Sequence, residues 1–427
     1  MKTPLNSLPL LDKKPLENRF PLKMDVAIIG GGAAGFFAAI AAKENFPDSS
    51  VTIFEKSQRV LAKVKISGGG RCNVTNACNS ISELCKAYPR GGKKLKKLFG
   101  IFSNLDTMEW FEQRGVPLVT QQDKCVFPAS QDSQSIIDCF LYETKRLKIT
   151  IEAGRGIKSI NPINDKLEIH FSNDSYSPRL FEKVIVATGG SPRIEGLRWL
   201  ENLNHKIESP VPSLFTFNMP KEKIRELMGI VVENVHVTIQ GTKIQANGSL
   251  LLTHWGMSGP AILKLSSLGA RILSEMDYQF KVRVNWANGA NYDEVVIQLT
   301  KISQENSKKL IINSRPYGLP ERLWIFLLSK IDITLSKLWG EMGKKGINRL
   351  TEILTNDFYE ARGKSTFRDE FVTCGGVSLE SINMSTLESK VCKNLYFAGE
   401  VLDIDAITGG FNLQAAWTTG FIAGKLG

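Results

Sequence analysis

Short unbroken apolar runs closed by glycine recur along the chain between longer stretches of mixed polarity. Residues 26–29 (VAII), 184–187 (VIVA, after Lys183) and 395–398 (LYFA) are each followed by glycine at once or within two positions. Runs of this length read as strands buried on both faces, the habit of parallel sheets. The first passes through GGG into AAGFFAAIAAKE, an alanine-rich stretch of good helix propensity, so residues 25–44 predict strand, tight turn and helix. VTIFEK follows as a second strand. The closing stretch, KNLYFAGEVLDIDAITGGFNLQAAWTTGFIAG, repeats the order of strand, glycine, and a glycine pair that opens a helix.

Between about residues 209 and 356 the texture changes. IVVENVHVTIQGTKIQANGSLLLTH alternates apolar and polar positions, with Asn247-Gly248 as a type I′ hairpin signal between two β-rich runs. Residues 260–276 predict a helix after the SGP start, YQFKVRVNW a further strand, and residues 292–356 a mainly helical region. The expected organisation is an N-terminal arm (1–23), a Rossmann-type α/β domain in two segments (24–208 and 357–427), and an inserted domain that is β-rich over 209–290 and mainly helical over 291–356. Two chain crossings between domains create a cleft, and clefts of that kind hold small molecules.

Gly30, Gly32 and Gly35 fall on the G-x-G-x-x-G spacing. In a strand-turn-helix context these glycines serve the tight turn, the close approach of a pyrophosphate and the packing of helix on strand, and the helix start presents unpaired N–H groups to phosphate. Glu55 ends the second strand 20 residues beyond Gly35, where a carboxylate accepts from a ribose 2′-OH and disfavours a 2′-phosphate. A second glycine turn follows the 183–186 run, and a second phosphate-type helix start lies near the C-terminus; a single NAD site would need only the first.

Composition narrows the partners only a little. With 427 residues, 42% hydrophobic and 23% charged, the chain is long enough for two or three domains with a well-buried core. Lys and Arg outnumber Asp and Glu by 54 to 43, a net +11 that favours acidic ligands, phosphates or RNA. The densest basic run, KKLKK at 93–97, reads as a solvated helix face, and nucleic acid is not the expected partner. Seven scattered cysteines without a CxxC pair argue against a disulfide framework, a zinc site or a dithiol, and fit a reducing cytoplasm. No apolar run approaches the ~18 residues of a membrane span, and the first 24 residues lack a signal-peptide core, reading as an arm packed on the outside. Nothing in the sequence sets an oligomeric state.

In order along the chain, IIGGGAAG, ISGGGRCNVTN, VFPASQDS, ATGG, PSLFTF, THWGMSGPAIL, VTCGGV, STLESK and LYFAGEVLDIDAITGGFNLQAAW resemble the BaiN/YhiN-like, or aminoacetone-oxidase-like, family of FAD-dependent flavoproteins. The resemblance implies a two-dinucleotide-binding flavoprotein fold split by an insertion, with no metal. It places FAD against Gly30, Gly32, Ala33, Ala34, Gly35, Glu55 and Lys56, against the loop carrying Gly69, Gly70, Arg71, Cys72 and Asn73, and against Gly189. Gly399 and Glu400, with Asp403 as second choice, would hold the ribityl chain, and Gly410, Asn412 and Leu413 would aim a helix start at the N1/O2 edge of the flavin. The chain departs from the family pattern after ATGG, where a longer glycine-rich segment is usual, at Ala406, where glycine is usual, and at AKVKISGGG, where a Gly-Lys-Lys start is more common. The first departure reshapes ground near the mouth of the expected pocket.

FAD would carry the redox step on a small organic substrate, either reducing a conjugated C=C with electrons from transiently docked NADH or NADPH or oxidising an amine with O2. An RNA-modifying flavoprotein and a flavin-bound sensor without turnover are the competing readings. His254, in THWGMSGP beside Trp255, is the candidate for proton transfer, set against an ordinary structural histidine. Cys72 and Cys374 are expected as buried packing residues, and Trp286 and Trp417 as core.

Overall fold

The computed structural model describes residues 23–365 and 372–427, so the expected N-terminal arm lies almost wholly outside the described residues. The strands Asp25–Ile29, Ser50–Glu55, Thr150–Ala153, Lys183–Val186 and Leu395–Phe397 form one parallel sheet. The first strand is central, with Lys183–Val186 and then Leu395–Phe397 on one side and Ser50–Glu55 and then Thr150–Ala153 on the other. Its apolar residues Val26, Ala27 and Ile28 are wholly buried, which is why the run carries no alternation.

Two helices lie side by side against this sheet, Ala33–Asn45 from the start of the fold and Phe411–Ala423 from its end. Both are apolar on nearly every face, as a helix enclosed on all sides must be. Phe36, Phe37, Trp110, Phe111, Phe140 and Trp417 pack beside them as an aromatic cluster, with Phe111 edge-on to both Phe140 and Trp417. Trp417 meets its polar requirement by donating to the Val74 carbonyl at 2.9 Å.

A second core, from Phe215 to Ala361, belongs to a seven-stranded antiparallel sheet and the helices packed on it. Trp286 is buried there and donates to Asp357 at 2.9 Å. The Asp357–Arg362 strand, assigned by sequence to the second nucleotide-binding segment, is hydrogen-bonded to Gln279–Asn285 within this sheet. The hairpin expected at Asn247-Gly248 turns earlier, between Ile239 and Gln245, and Asn247 and Gly248 sit inside the strand opposite His236 and Val235. Gly248 is needed for space: a Cβ there would stand 3.1 Å from the Ala261 nitrogen at the start of the next helix. The helix expected over residues 260–276 is two, Pro260–Leu268 and Ala270–Glu275, divided at Gly269. The two halves of the molecule are joined by an antiparallel ribbon, Ile207–Pro212 against Thr373–Val377.

His205 closes the nucleotide-binding half near the start of this ribbon. It is buried, with its ring nitrogens against the Leu200 carbonyl (3.1 Å) and the Ser389 hydroxyl (2.8 Å). Burial lowers its pKa below the usual 6.5, so the unfolded chain binds the proton first. Its contribution to stability is therefore present above about pH 6.5 and lost as pH falls below it, with a slope of at most about 1.4 kcal/mol per pH unit. His205→Gln should flatten the fall in denaturant midpoint between pH 7 and 5; an unchanged slope would show that other groups carry it.

Candidate functional site

The strands Asp25–Ile29, Ser50–Glu55, Lys183–Val186 and Leu395–Phe397 all release their chains at one edge of the sheet, and the segments that follow line a single cavity of about 610 Å³. Its walls are Gly30 to Ala34, Glu55 to Ser57, Ala187 to Gly190 and Ala398 to Glu400, with Ile66 to Gly69 and the start of the closing helix. A crevice outside the carboxyl ends of parallel strands is where α/β sheets bind ligands, and the volume suits a cofactor.

The three motif glycines are required for three different reasons. Gly30 has φ +114°, and a Cβ there would lie 2.3 Å from the Ala187 carbonyl oxygen. Gly35 carries the helix over the strand, since its Cβ would lie 1.9 Å from the Gly30 oxygen. Gly32 differs: it lines the cavity, and a Cβ there would meet no protein atom within 4 Å, so its missing side chain leaves room for a ligand. It also starts the Ala33–Asn45 helix without a side-chain cap and without an acid in the first turn, leaving N–H donors open to an anion.

Glu55 accepts from Gly31 N–H (2.8 Å) through one oxygen and from Ser57 N–H (2.8 Å) through the other. It thereby shapes the glycine loop, and a carboxylate keeps lone pairs for a ribose hydroxyl beyond those two bonds. Glu400 accepts from Thr373 N–H at 2.8 Å and pairs with Lys63 at 3.1 Å. Gly190, beside the expected Gly189, is there to admit it, because a Cβ would lie 2.5 Å from a Glu400 oxygen. Lys63, Lys56 and Arg59 place cationic groups along the lining; Lys63 and Arg59 had no distinguishing spacing in the sequence.

Gly30, Gly32, Ala33, Ala34, Glu55, Lys56, Gly69, Gly189, Gly399, Glu400, Asn412 and Leu413 thus come together, while Gly35 acts from behind as packing. Other members of the glycine-arginine stretch serve the fold. Asn73, with its amide turned to suit its neighbours, donates to the Thr75 and Val126 carbonyls and accepts from Gly410 N–H at 3.1 Å. Gly410, at φ +88°, fits against the Thr75 carbonyl, and Asn76 donates to Gly409 O at 3.2 Å. Residues 73–76 therefore wrap the start of the closing helix, and only residues 66–69 of the stretch reach the cavity. Arg71, expected to offer donors to the cofactor, lies over the Phe127 ring (4.2 Å) and donates to Gln131. The Gly70 carbonyl accepts from Ser133 N–H at 2.9 Å, and the Cys72 thiol is buried and pushed up to about 12 by that burial. Cys374 is also buried and raised to about 11 by desolvation, so neither sulfur is held as a thiolate. Asp403 lines a separate groove with Arg90. His254 is exposed and stacks edge-on against Trp255 (4.5 Å), outside the cavity lining.

The cavity extends beyond the nucleotide-binding half to Leu214, Phe215, Thr216 and Leu263 of the insertion. The closing helix starts beside that wall, again with no side-chain cap on its own first residue and no acid in its first turn. Asn412 binds the Ala406 peptide from both sides, accepting its N–H (2.9 Å) and donating to its carbonyl (3.1 Å). Glu55 at one helix start, two uncapped helix ends, cationic side chains and an apolar far wall fit a dinucleotide with a ring system.

A family model described as "HI0933-like protein Rossmann domain" matches residues 24–426. The chain belongs to the HI0933-like family. Among similar curated proteins, a 3-dehydro-bile acid delta(4,6)-reductase of Clostridium scindens is 27% identical, covering 94% of this chain and 98% of its own. Ribosomal RNA dihydrouridine synthases of Haemophilus influenzae (26% identical; 92% of this chain and 96% of that one) and Escherichia coli (27%; 93% and 96%) also match. The resemblance drawn from the motifs is borne out, and this HI0933-like chain is an FAD-dependent oxidoreductase with a Rossmann-type FAD-binding domain. Among the described residues no helix is long and apolar enough to cross a membrane.

Gly32 and Gly35 should separate ligand space from packing. Gly32→Ala should leave the melting temperature of the FAD-free protein unchanged and weaken FAD binding about tenfold, roughly 1.4 kcal/mol. Gly35→Ala should lower the FAD-free melting temperature itself, by an overpacking cost on the order of 1–3 kcal/mol. Calorimetry with and without FAD checks both, and equal behaviour of the two variants would contradict the assignment.

Proposed function

We propose that the protein reduces a carbon–carbon double bond conjugated with a carbonyl in a small organic substrate, using NADH or NADPH as transient electron donor. The observation that carries this reading is the far wall of the cavity. Leu214, Phe215, Leu263, Val372, Ile404 and Leu413 make it apolar, and the titratable side chains among the described lining residues, Glu55, Lys56, Arg59, Lys63 and Glu400, all belong to the segments assigned to the cofactor. Oxidising an amine requires a neutral nitrogen and hence a nearby base, whereas an enone takes a hydride at its β-carbon once its carbonyl oxygen is polarised, and the enolate so formed takes a proton from solvent at its α-carbon.

FAD, when bound, supplies the hydride transfer. The chain's own residues bind and orient. Gly32 and the two open helix starts receive the pyrophosphate and the electron-rich edge of the ring, Glu55 the adenosine ribose, and Glu400 the ribityl chain. Thr216 is the polar side chain among the insertion's described lining residues. Its oxygen accepts from Trp255 Nε1 at 3.1 Å, which leaves its own proton for a substrate carbonyl. The apolar wall excludes water and selects a substrate with little charge.

Two of the relatives are named as dihydrouridine synthases, and dihydrouridine arises from uridine by the same kind of reduction, at a double bond conjugated with a carbonyl. With the net charge of +11, this supports a second reading in which the double bond belongs to an RNA uridine.

The test is anaerobic mixing of the FAD-loaded enzyme with NADH and with NADPH, followed by a 4-en-3-one steroid, ribosomal RNA lacking dihydrouridine, or a panel of primary amines. The first reading expects bleaching by a nicotinamide and recovery of the flavin band with the enone at least tenfold faster than with buffer. Recovery with RNA alone would replace it by the second reading. Bleaching by an amine without nicotinamide would overturn both in favour of an oxidase.

A further inference from the structure

Arg90 stands where the two halves of the molecule meet, outside the lining of the cavity. Its side chain is largely buried and forms a two-point pair with Asp405, which has no exposed surface; Nε lies 2.6 Å from one carboxylate oxygen and a terminal nitrogen contacts the other. The remaining donors cross to the insertion, to the Ser267 carbonyl at 2.8 Å and the Ser213 hydroxyl at 3.2 Å. The Ser213 hydroxyl donates back to Asp405. Only a guanidinium, with five donors in a planar fork, can serve both sides at once.

Both ends of this link are attached to the cavity. Ser213 immediately precedes Leu214, Phe215 and Thr216 of the apolar wall, and Ser267 lies on the helix that supplies Leu263. The neighbouring Ser266 hydroxyl accepts from Phe215 N–H at 3.1 Å. On the other side Asp405 adjoins Ile404 and leads to the closing helix. The same short segment as Arg90 holds that loop at three further points: a β-bridge from Arg90 to Asp405, Ile407 N–H to the Ala87 carbonyl (2.9 Å), and the Tyr88 hydroxyl to the Phe411 carbonyl (2.6 Å). The covalent connection between the halves is a two-stranded ribbon with a register shift between Glu208 and Val211. Such a ribbon is a weak determinant of angle, so the relative placement of the walls must come from contacts that span them.

We propose that Arg90 is a positioning residue that sets the width of the substrate end of the cavity by tying the insertion's apolar wall to the loop before the closing helix. This rests on the reading of the cavity as the FAD and substrate site. Removing one member of a buried pair leaves an uncompensated charge and endangers the fold, whereas replacing both by apolar residues is often tolerated. The variants are therefore Arg90→Lys, which keeps a charge opposite Asp405 but cannot reach both walls, and the double variant Arg90→Met with Asp405→Leu.

The measurement is acrylamide quenching of bound FAD fluorescence in the FAD-loaded full chain, alongside FAD content and melting temperature. Both variants are expected to retain FAD within about twofold of wild type, while the quenching constant rises at least threefold in the double variant and by an intermediate amount in Arg90→Lys. Unchanged quenching in either variant that retains FAD and its melting transition would overturn the proposal and leave Arg90 a residue of stability alone. Wild-type protein that fails to take up stoichiometric FAD would instead overturn the site reading, and the proposal with it.

Discussion

The structure depends on a contact made without side chains. The Ala33–Asn45 and Phe411–Ala423 helices, from opposite ends of the chain, approach so closely that a Cβ on Gly420 would lie 2.7 Å from the Ala34 carbonyl oxygen, and one on Gly424 2.7 Å from that of Ala38. Gly399 is confined in the same way against Ala34, at 2.7 Å. Because the helices can touch, both of their first turns line the same cavity. Each helix start carries about half a positive charge. Neither is neutralised by an acid in its first turn, so the pair creates a site whose natural occupant is anionic.

That arrangement supplies one side of the cavity only. The other side is the insertion, which has its own sheet and its own buried core and contributes aliphatic and aromatic surface with the Thr216 hydroxyl. The two sides differ in character: the Rossmann-type half brings backbone donors and charged side chains to the cavity, and the insertion brings mainly apolar ones. Arg90 and Asp405 lie on the boundary. A charge pair withdrawn from water gains little stability over well-packed apolar residues, so its value lies in geometry.

Much of the glycine-lined side of the cavity was legible in the sequence because its signals are local. Strand, glycine turn and helix follow one another within residues 25–44, and the spacing of Gly30, Gly32 and Gly35 is set by backbone sterics acting over a few residues. Glu55 stands out by its distance along the same unit, whereas Glu400 and Leu413 were expected from the family resemblance of the closing stretch, and all three line the cavity. What local pattern overstated was the stretch from Gly70 to Asn73. Of the three glycines at 68–70 only Gly68 is crowded, by the Asn73 backbone, while Gly69 and Gly70 answer to positive φ, and Asn73 meets the closing helix at Gly410. Asn247-Gly248 misled as well: its glycine answers to a helix crossing the strand, not to a turn.

By itself, then, the sequence determined the class of fold, the parallel sheet and the glycine loops at its edge, since these follow from periodicity and from steric limits within single units. Tertiary structure alone decided that His254 lies outside the cavity, that Arg71 stacks on Phe127, that Leu214 to Thr216 of the insertion line the cavity, and that Arg90 joins Asp405 to Ser213 and Ser267. Each of these depends on where separate elements come to lie when they pack. A residue's chemistry shows what it can bind, but the partner it meets depends on how whole helices and sheets settle against one another.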